Sequence, residues 1–198
     1  MGRSWLRLRM RSLRPLVPHF PARGVVVDLG AGHGALLALL QARQPTQPLV
    51  AVEHDPRRAA WLRRRFAEMP VTVQEDDMTS CALPPCQGLA LLDVLHYFTR
   101  EDQDALLSRA ARVLEPGGVL VLRVPDPEAG WRFTWNRMHE RVATHTGFTQ
   151  ARVVDYRTLA SFANHLEGLG MQVAVGPKAS GFYADRWVRA TKPEAREA

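Results

Sequence analysis

Lysine, cysteine and long apolar stretches are all scarce in this sequence of 198 residues. No window stays apolar over the roughly 20 residues that a membrane-spanning helix needs. The N-terminus is basic, but neither the apolar core nor the small-residue cleavage site of a secretory signal peptide follows it. These absences argue against a membrane protein and against export, and they predict a cytoplasmic location.

The few cysteines and lysines bear on metals and on partners. A closed structural zinc site needs four ligands, and Cys81 and Cys86 have no histidine pair nearby. We therefore expect free thiols. Lysine occurs only at Lys178 and Lys192, so that arginine provides nearly all of the positive charge behind the formal net charge of +6. A basic surface is compatible with nucleic acid, anionic lipid or an acidic substrate, and we keep such partners open.

Strand-like and helix-like segments alternate along most of the chain. Short apolar or β-branched runs are separated by segments of helical periodicity, which is typical of a parallel sheet with helices on both faces. The expected strands are 24–28, 49–53, 71–75, 89–93, 119–124, 171–175 and 182–190, and the expected helices include 33–42, 56–68 and 99–114. The predicted fold class is α/β, a doubly wound, seven-stranded, mainly parallel sheet with a C-terminal antiparallel hairpin.

The length suits a single domain with one substantial core. We divide the chain into a basic amphipathic N-terminal helix at 1–20, a domain at 21–192 and a tail at 193–198. Within the domain, 126–155 is a long connection, and long connections tend to be functional. We therefore expect 126–155 to be an insertion on the substrate side.

A glycine-rich segment, VVVDLGAGHGALLALL, runs from the first expected strand into the first helix of the domain. Gly30, Gly32 and Gly34 allow the backbone to turn sharply and to approach a ligand, and the free N–H groups of the helix point into the same space. Glu53 ends the next strand, where its carboxylate can accept hydrogen bonds from both hydroxyls of a ribose. The pattern predicts a nucleoside-containing ligand. Because Ala35 completes a G-x-G-x-x-A pattern, a dinucleotide such as NAD stays open at this point.

Five segments together resemble the motifs of class I S-adenosylmethionine-dependent methyltransferases. VVDLGAGHG is similar to the first motif, with acidic Asp28 two residues before the first glycine, where NAD-binding loops usually carry an apolar residue. AVEHD, QEDDM and LLDVLHYF are similar to the next motifs, and RVLEPGGVLVLRV resembles the fifth-strand segment that follows a Pro-Gly-Gly turn. The matches keep the family's order and spacing over roughly residues 24–124. The resemblance implies a methyltransferase with S-adenosylmethionine as its cofactor.

The resemblance also implies a role for each cofactor residue. Asp28 and the glycine-loop backbone would bind the methionine end, and Glu53 would bind the ribose hydroxyls. Asp76 would receive the adenine amino group, with its neighbour Asp77 as the alternative, and Asp93 would lie near the donor methyl. The cofactor residues implied in this way are Asp28, Gly30, Ala31, Gly32, Gly34, Glu53, His54, Asp76, Asp77, Met78 and Asp93.

His96 is the candidate catalytic residue. Methyl transfer from a sulfonium mainly requires that the nucleophile, the methyl group and the sulfur are aligned. A base is needed only if the acceptor must lose a proton, and histidine suits that role around neutral pH. His96 follows the fourth strand, where substrate and cofactor should meet. The alternative is that His96 packs and forms hydrogen bonds within the motif.

Two regions could select the substrate. The N-terminal helix has an apolar face at Leu6, Met10, Leu13 and Val17 and a basic face at Arg3, Arg7, Arg11 and Arg14. We expect it to cover the cofactor cleft as a lid, with contact to a membrane surface or an acidic acyl carrier as the alternative. Aromatic and cationic side chains in 126–155 could stack a flat acceptor or nucleic-acid bases, or simply pack on the sheet. The candidate substrate residues are Tyr97, Arg123, Trp131, Trp135 and His139.

Absent motifs narrow the reaction. The fourth strand ends in Asp-Val-Leu-His instead of the Asn/Asp-Pro-Pro-Tyr pattern of enzymes that methylate amide or exocyclic amine nitrogens. The Asp-Asn pair of cation-dependent catechol-type enzymes is missing after the fifth strand, so we predict no metal. LLDVLHYF and LRVPDPEAGWRF are similar to small methyltransferases found beside fatty-acid-like and aryl-polyene synthases, which implies an aromatic or acyl hydroxyl acceptor, free or carrier-bound. The alternatives are an RNA- or DNA-modifying methyltransferase, an NAD-dependent oxidoreductase and a non-catalytic nucleoside-binding protein.

Overall fold

The computed structural model describes residues 3–131, 133–134, 155–177 and 185–194. Among these residues the α-helices are α1 (Arg3–Leu13), α2 (Ala35–Arg43), α3 (Pro56–Arg65), α4 (Arg100–Val113) and α5 (Leu159–Gly168). Two short 3₁₀-helices span Arg14–His19 and Leu95–Tyr97. The strands are β1 (Val26–Leu29), β2 (Leu49–Val52), β3 (Val71–Gln74), β4 (Cys86–Leu92), β5 (Leu114–Pro125), β6 (Gln172–Val175) and β7 (Asp185–Thr191).

The strands form one seven-stranded sheet in the order β3-β2-β1-β4-β5-β7-β6. Strands β1 to β5 pair in parallel, whereas β7 is antiparallel to both β5 and β6. The predicted α/β sheet is therefore confirmed, including the C-terminal antiparallel pair. The last strand, β7, lies inside the sheet, and β6 forms the edge.

Helices cover both faces of the sheet. Consecutive strand residues point to opposite faces, so that Val26 packs with α1, α2 and α3 while its neighbour Val27 packs with α4 and α5. Helix α2 has buried side chains on most of its surface because α1 and the following 3₁₀-helix lie against it. On α1 the basic side chains of Arg7 and Arg11 are exposed, as the amphipathic pattern predicts.

Local capping residues mark the starts of α3 and α4, and a residue distant in sequence caps the end of α4. The Asp55 carboxylate accepts hydrogen bonds from two backbone N–H groups of α3, and the Thr99 hydroxyl accepts one from the N–H of Asp102 in α4. At the end of α4, the Lys192 ammonium donates to the carbonyls of Ala111, Arg112 and Leu114. Strand β5 begins at Leu114, five residues before the predicted start, because Leu114 pairs with Cys86 of β4.

The centre of the sheet is the place where a ligand is expected. From β1 and β4, which are neighbours, the chain winds outward in opposite directions, and α/β sheets bind ligands in the crevice at the carboxyl ends of such strands.

Cys81 and Cys86 are both free and buried. Within the described ranges, no helix has the length and apolar character to span a membrane.

Candidate active site

A cavity of about 540 Å³ opens at the carboxyl ends of β1, β2 and β4, within the size range of small-molecule sites. Its wall is built from α1, the glycine loop and the segments that follow β2, β3 and β4. The predicted cofactor residues on this wall are Asp28, Gly30, Ala31, Gly32, Glu53, His54, Asp77, Met78 and Asp93. The structure therefore brings together residues that the sequence places in four separate motifs.

Two glycines of the glycine loop have different roles, one in packing and one in leaving space for a ligand. Gly32 and Gly34 both have left-handed backbone conformations, with φ of 58° and 74°. A Cβ on Gly34 would lie 2.5 Å from the Phe66 ring and 2.8 Å from Leu62, whereas a Cβ on Gly32 would have no protein atom closer than 4.0 Å. Gly34 thus allows the loop to pack on α3, and Gly32 leaves open space where a ligand can approach the backbone.

We expect Gly34→Ala to destabilise the fold more than Gly32→Ala. Both changes carry the left-handed penalty of roughly 1–2 kcal/mol. Gly34→Ala adds overpacking against Phe66, which typically costs about 1–3 kcal/mol. Since 1 kcal/mol corresponds to about 2–4 °C in Tm at this chain length, thermal unfolding should rank the two variants clearly. Equal losses would contradict the packing role of Gly34.

Glu53 is a buried carboxylate at the end of β2. Its Oε2 accepts a hydrogen bond from the Gly32 N–H at 2.8 Å, and its Oε1 accepts one from the Asp55 N–H at 3.0 Å. The side chain is 2% exposed, and Arg58 lies 3.9 Å from Oε1. Each carboxylate oxygen can accept a further hydrogen bond. Glu53 is therefore fixed in place and still able to accept hydroxyl hydrogens from the cavity.

Asp28 is a buried residue of β1 and lines the same cavity. Burial raises the pKa of Asp28 to about 7, the charge of Glu53 acts in the same direction, and the guanidinium of Arg9 opposes both. A cationic ligand group beside this carboxyl would favour its ionised form. Asp28 is thus suited to bind an ammonium group at this end of the cavity.

Asp93 lies in an unusual backbone conformation after β4, with φ of 59°. Such a conformation is uncommon outside glycine, and the Asp93 side chain forms two ion pairs. Its Oδ1 is 2.8 Å from Nε of Arg123, and its Oδ2 pairs with the guanidinium of Arg9 on α1. Burial alone would raise the pKa of Asp93, but Arg123 and Arg9 hold it below its ordinary value. A negative charge is therefore fixed at the cavity wall beside α1.

Arg123, a candidate substrate residue, lies behind Asp93. Its guanidinium is 3.2 Å from Oδ2 of Asp185 on β7 and also donates to the side chain and backbone carbonyl of Ser12 on α1. Arg123 is buried and is not part of the cavity wall. In the described structure it reaches the cavity only through Asp93, so its contacts orient that carboxylate.

The loop after β3 distinguishes between the two neighbouring aspartates. Both side chains are exposed, but only Asp77 lies on the cavity wall, and Asp76 accepts a hydrogen bond from the Asp77 N–H. The Asp77 carboxylate accepts hydrogen bonds from the N–H and the hydroxyl of Thr79, and these bonds lower the pKa of Asp77. Met78 also lines the cavity. This geometry favours Asp77 over Asp76 as the side chain that reaches a ligand.

His96, the candidate base, lies behind the cavity wall. Its ring is buried, with its centroid 4.1 Å from that of Tyr97 and 5.8 Å from that of Tyr156. Tyr97, a candidate substrate residue, does line the cavity. Trp131 is 61% exposed and away from the cavity wall. Trp135 and His139 lie outside the described residues.

Several wall residues were not predicted from the sequence. They are Arg9, His33, Leu36, Arg58, Val94 and Phe98, among others. Leu13, by contrast, belongs to the apolar face of α1 that is expected from the sequence to cover the cleft. Arg9 carried a usable signal, because it falls three residues after Leu6 and four before Leu13 and thus lies on the apolar face of α1. Arg9 and Leu13 together form the part of the cavity wall contributed by α1.

Comparison with known proteins identifies relatives of this arrangement. A family model described as a methyltransferase domain matches residues 3–174. Trans-aconitate 2-methyltransferase of Rhizobium meliloti is 28% identical over 162 residues, which cover 80% of this chain and 60% of that protein. The chain spans between 39% and 60% of the length of the trans-aconitate 2-methyltransferases that it matches.

Solved structures agree with this fold. A SAM-dependent methyltransferase from Archaeoglobus fulgidus aligns with a TM-score of 0.75 at 15% identity over 94% of both chains. A mitomycin 7-O-methyltransferase aligns with a TM-score of 0.74 at 18% identity, over 93% of this chain and 54% of that one. At these identities the likeness establishes a shared fold.

Proposed function

This chain belongs to the methyltransferase domain family, and from that premise we propose that it transfers a methyl group from S-adenosylmethionine to an oxygen atom of a small aromatic or acyl acceptor, free or carrier-bound. The observation that carries the proposal is that Asp28 and Glu53 line the same cavity as the open backbone at Gly32. The pair offers a carboxyl for an ammonium group and a carboxylate for a ribose.

The wall residues fit the chemical groups of S-adenosylmethionine. The Glu53 carboxylate is suited to two vicinal hydroxyls, and Asp28 is suited to the amino group. Asp77 and Met78 offer a hydrogen-bond acceptor and an apolar surface to a purine. The space at Gly32 is one that a Cβ would enter, so a ligand can lie close to the backbone there.

In the proposed reaction the protein mainly binds and orients. S-adenosylmethionine supplies a methyl group on a sulfonium, which is already reactive toward a nucleophile. Glu53 and Asp28 would hold the ribose and the amino group of the cofactor, which would limit its freedom to the orientation needed for in-line attack. Leu13 and Leu36 contribute apolar surface and help to exclude water. Tyr97 and Phe98 form the wall next to Asp93 and provide aromatic surface for the acceptor.

Two observations support an oxygen acceptor of modest size. The wall near Asp93 includes Val94, Tyr97 and Phe98, which suits an acceptor that has an apolar or aromatic body. The names of similar proteins include an organic acid methyltransferase and a 7-O-methyltransferase. Both names specify small molecules, and the second specifies methylation at an oxygen atom.

Calorimetric titration with S-adenosylmethionine, S-adenosylhomocysteine and NAD tests the cofactor. We expect saturable binding of the first two and none of NAD. A screen with methyl-labelled S-adenosylmethionine then tests aryl and acyl acids, hydroxylated acyl-carrier conjugates and polyribonucleotides. Label in an ester or ether supports the proposal. Binding of NAD alone, binding of neither S-adenosyl compound, or label transferred only to RNA would overturn it.

The role of His96 can be tested with the acceptor that this screen identifies. A base that removes the acceptor proton contributes about 10²–10⁴ in rate. Because His96 is buried behind Tyr97, we expect His96→Gln to lower kcat by less than about tenfold at saturating substrates, with an unchanged pH profile. A loss of about 10²–10⁴ in kcat, together with loss of the acidic limb of the pH profile, would establish His96 as the base.

A further inference from the structure

Arg109 on α4 reaches the loop between β3 and β4 and contacts three of its backbone carbonyls. One guanidinium nitrogen donates to the carbonyl of Met78 at 2.9 Å and to that of Thr79, and the other terminal nitrogen donates to that of Cys81. A guanidinium has five N–H donors in a fixed planar arrangement, so one side chain can bind three carbonyls together.

These carbonyls belong to a single helical turn. The N–H groups of Ser80 and Cys81 both donate to the Asp77 carbonyl, at 3.1 Å and 2.8 Å. The last carbonyls of a helical turn have no partner within the turn, and a cation is favourable at that end. Arg109 supplies both the missing donors and the positive charge, so the position of the turn depends on α4.

The same turn brings Asp77 and Met78 to the cavity. Met78 is buried, and its terminal methyl lies 2.9 Å from the place that a Cβ of Gly30 would occupy. The wall formed by the turn is thus packed directly on the glycine loop. A shift of the turn would move Met78 relative to the glycine loop and would move the Asp77 carboxylate, and both residues line the cavity.

We propose that Arg109 is a positioning residue for the nucleoside half of the cofactor. It lies outside the cavity wall and acts through the backbone of the turn that carries Asp77 and Met78. The inference rests on the proposed function, since it takes S-adenosylmethionine as the ligand. It adds a determinant of cofactor affinity that lies on α4, outside all of the motif segments that line the cavity.

Three variants of the full chain, Arg109→Gln, Arg109→Lys and Arg112→Gln, test this role by calorimetry with S-adenosylhomocysteine and with adenosine. Arg112 is exposed on the same helix, one turn further on, and is the matched control. Loss of charge-assisted hydrogen bonds should raise both dissociation constants about tenfold or more in Arg109→Gln. Arg109→Lys should recover part of that loss, and Arg112→Gln should match the parent protein.

A fourth variant, Asp28→Asn, localises the effect. Asp28 is assigned to the methionine end, so Asp28→Asn should weaken S-adenosylhomocysteine binding and leave adenosine binding unchanged. Arg109→Gln should weaken both ligands by the same factor. Two results would overturn this inference and leave the proposed function standing. One is a folded Arg109→Gln with the affinities of the parent protein, and the other is a loss of affinity that Arg109→Lys does not reduce. A parent protein that binds neither ligand would overturn the proposed function and this inference together.

Discussion

Replacing Glu53 with alanine is expected to lower the affinity for S-adenosylmethionine and S-adenosylhomocysteine at least a hundredfold. The change removes the carboxylate proposed to bind the ribose, and hydrogen bonds to charged groups are worth about 1.5–3 kcal/mol each. It also leaves two N–H groups without their acceptor, that of Gly32 in the glycine loop and that of Asp55 at the start of α3. A hundredfold change corresponds to about 2.8 kcal/mol, which one or two such bonds account for.

Glu75 provides the matched control for Glu53. It follows β3 as Glu53 follows β2, but it is exposed and pairs with Arg63 at 2.8 Å on the surface. Exposed ion pairs contribute about 0–1 kcal/mol, so Glu75→Ala should keep the parent affinity in the same titration. Glu53→Gln should fall between the two, because the amide retains one acceptor oxygen. Binding by Glu53→Ala within threefold of the parent would remove Glu53 from the site.

The sheet could be predicted from the sequence because its central strands are buried on both faces. Residues of β1 and β4 such as Val26, Val27 and Leu89 read as continuous apolar runs, and glycine or proline marks many of their ends. The start of β5 was misjudged for a tertiary reason. Leu114 joins the sheet through Cys86, and the end of α4 is capped by Lys192, which lies 78 residues after Leu114 in the chain.

The cofactor-binding residues could be predicted because they lie in short local motifs. The charges around Asp93 could not be predicted in this way. Asp28, Gly32 and Glu53 fall in short motifs whose spacing fixes their positions relative to the strands. The ion pairs of Asp93 join Arg9 on α1 and Arg123 on β5, and Arg123 also joins Asp185 on β7. Such partners are distant in sequence, so no local pattern shows that Arg123 is occupied by two carboxylates.

The contribution of Asp28 to the free energy of unfolding should fall as the pH rises from about 4 to about 7. Burial raises the pKa of Asp28 from 3.8 to about 7. Between these values the folded chain retains a proton that the unfolded chain has lost, so stability decreases with pH. The contribution is complete below the unfolded pKa and is lost above pH 7. A shift of about three pKa units corresponds to at most about 4 kcal/mol.

Asp28→Asn isolates this contribution, because asparagine has nearly the same shape and does not ionise. The difference in unfolding free energy between parent and variant, measured by denaturant titration at several pH values, should change steadily from pH 4 to 7 and be constant above. Groups with lowered pKa oppose the trend but are present in both proteins. They are the aspartates Asp77 and Asp93 and the histidines His19 and His33, among others. Parallel curves would show that Asp28 does not titrate in this range.

The same proton links Asp28 to cofactor binding. If the ionised carboxylate binds the ammonium group of S-adenosylhomocysteine, the ligand-free protein must lose the Asp28 proton below pH 7 before binding. The affinity of the parent protein should therefore rise by up to about tenfold per pH unit between pH 5 and 7 and then level off. Asp28→Asn should bind weakly with no such dependence, and adenosine should show none in either protein. A pH-independent parent affinity would place the ammonium group away from Asp28.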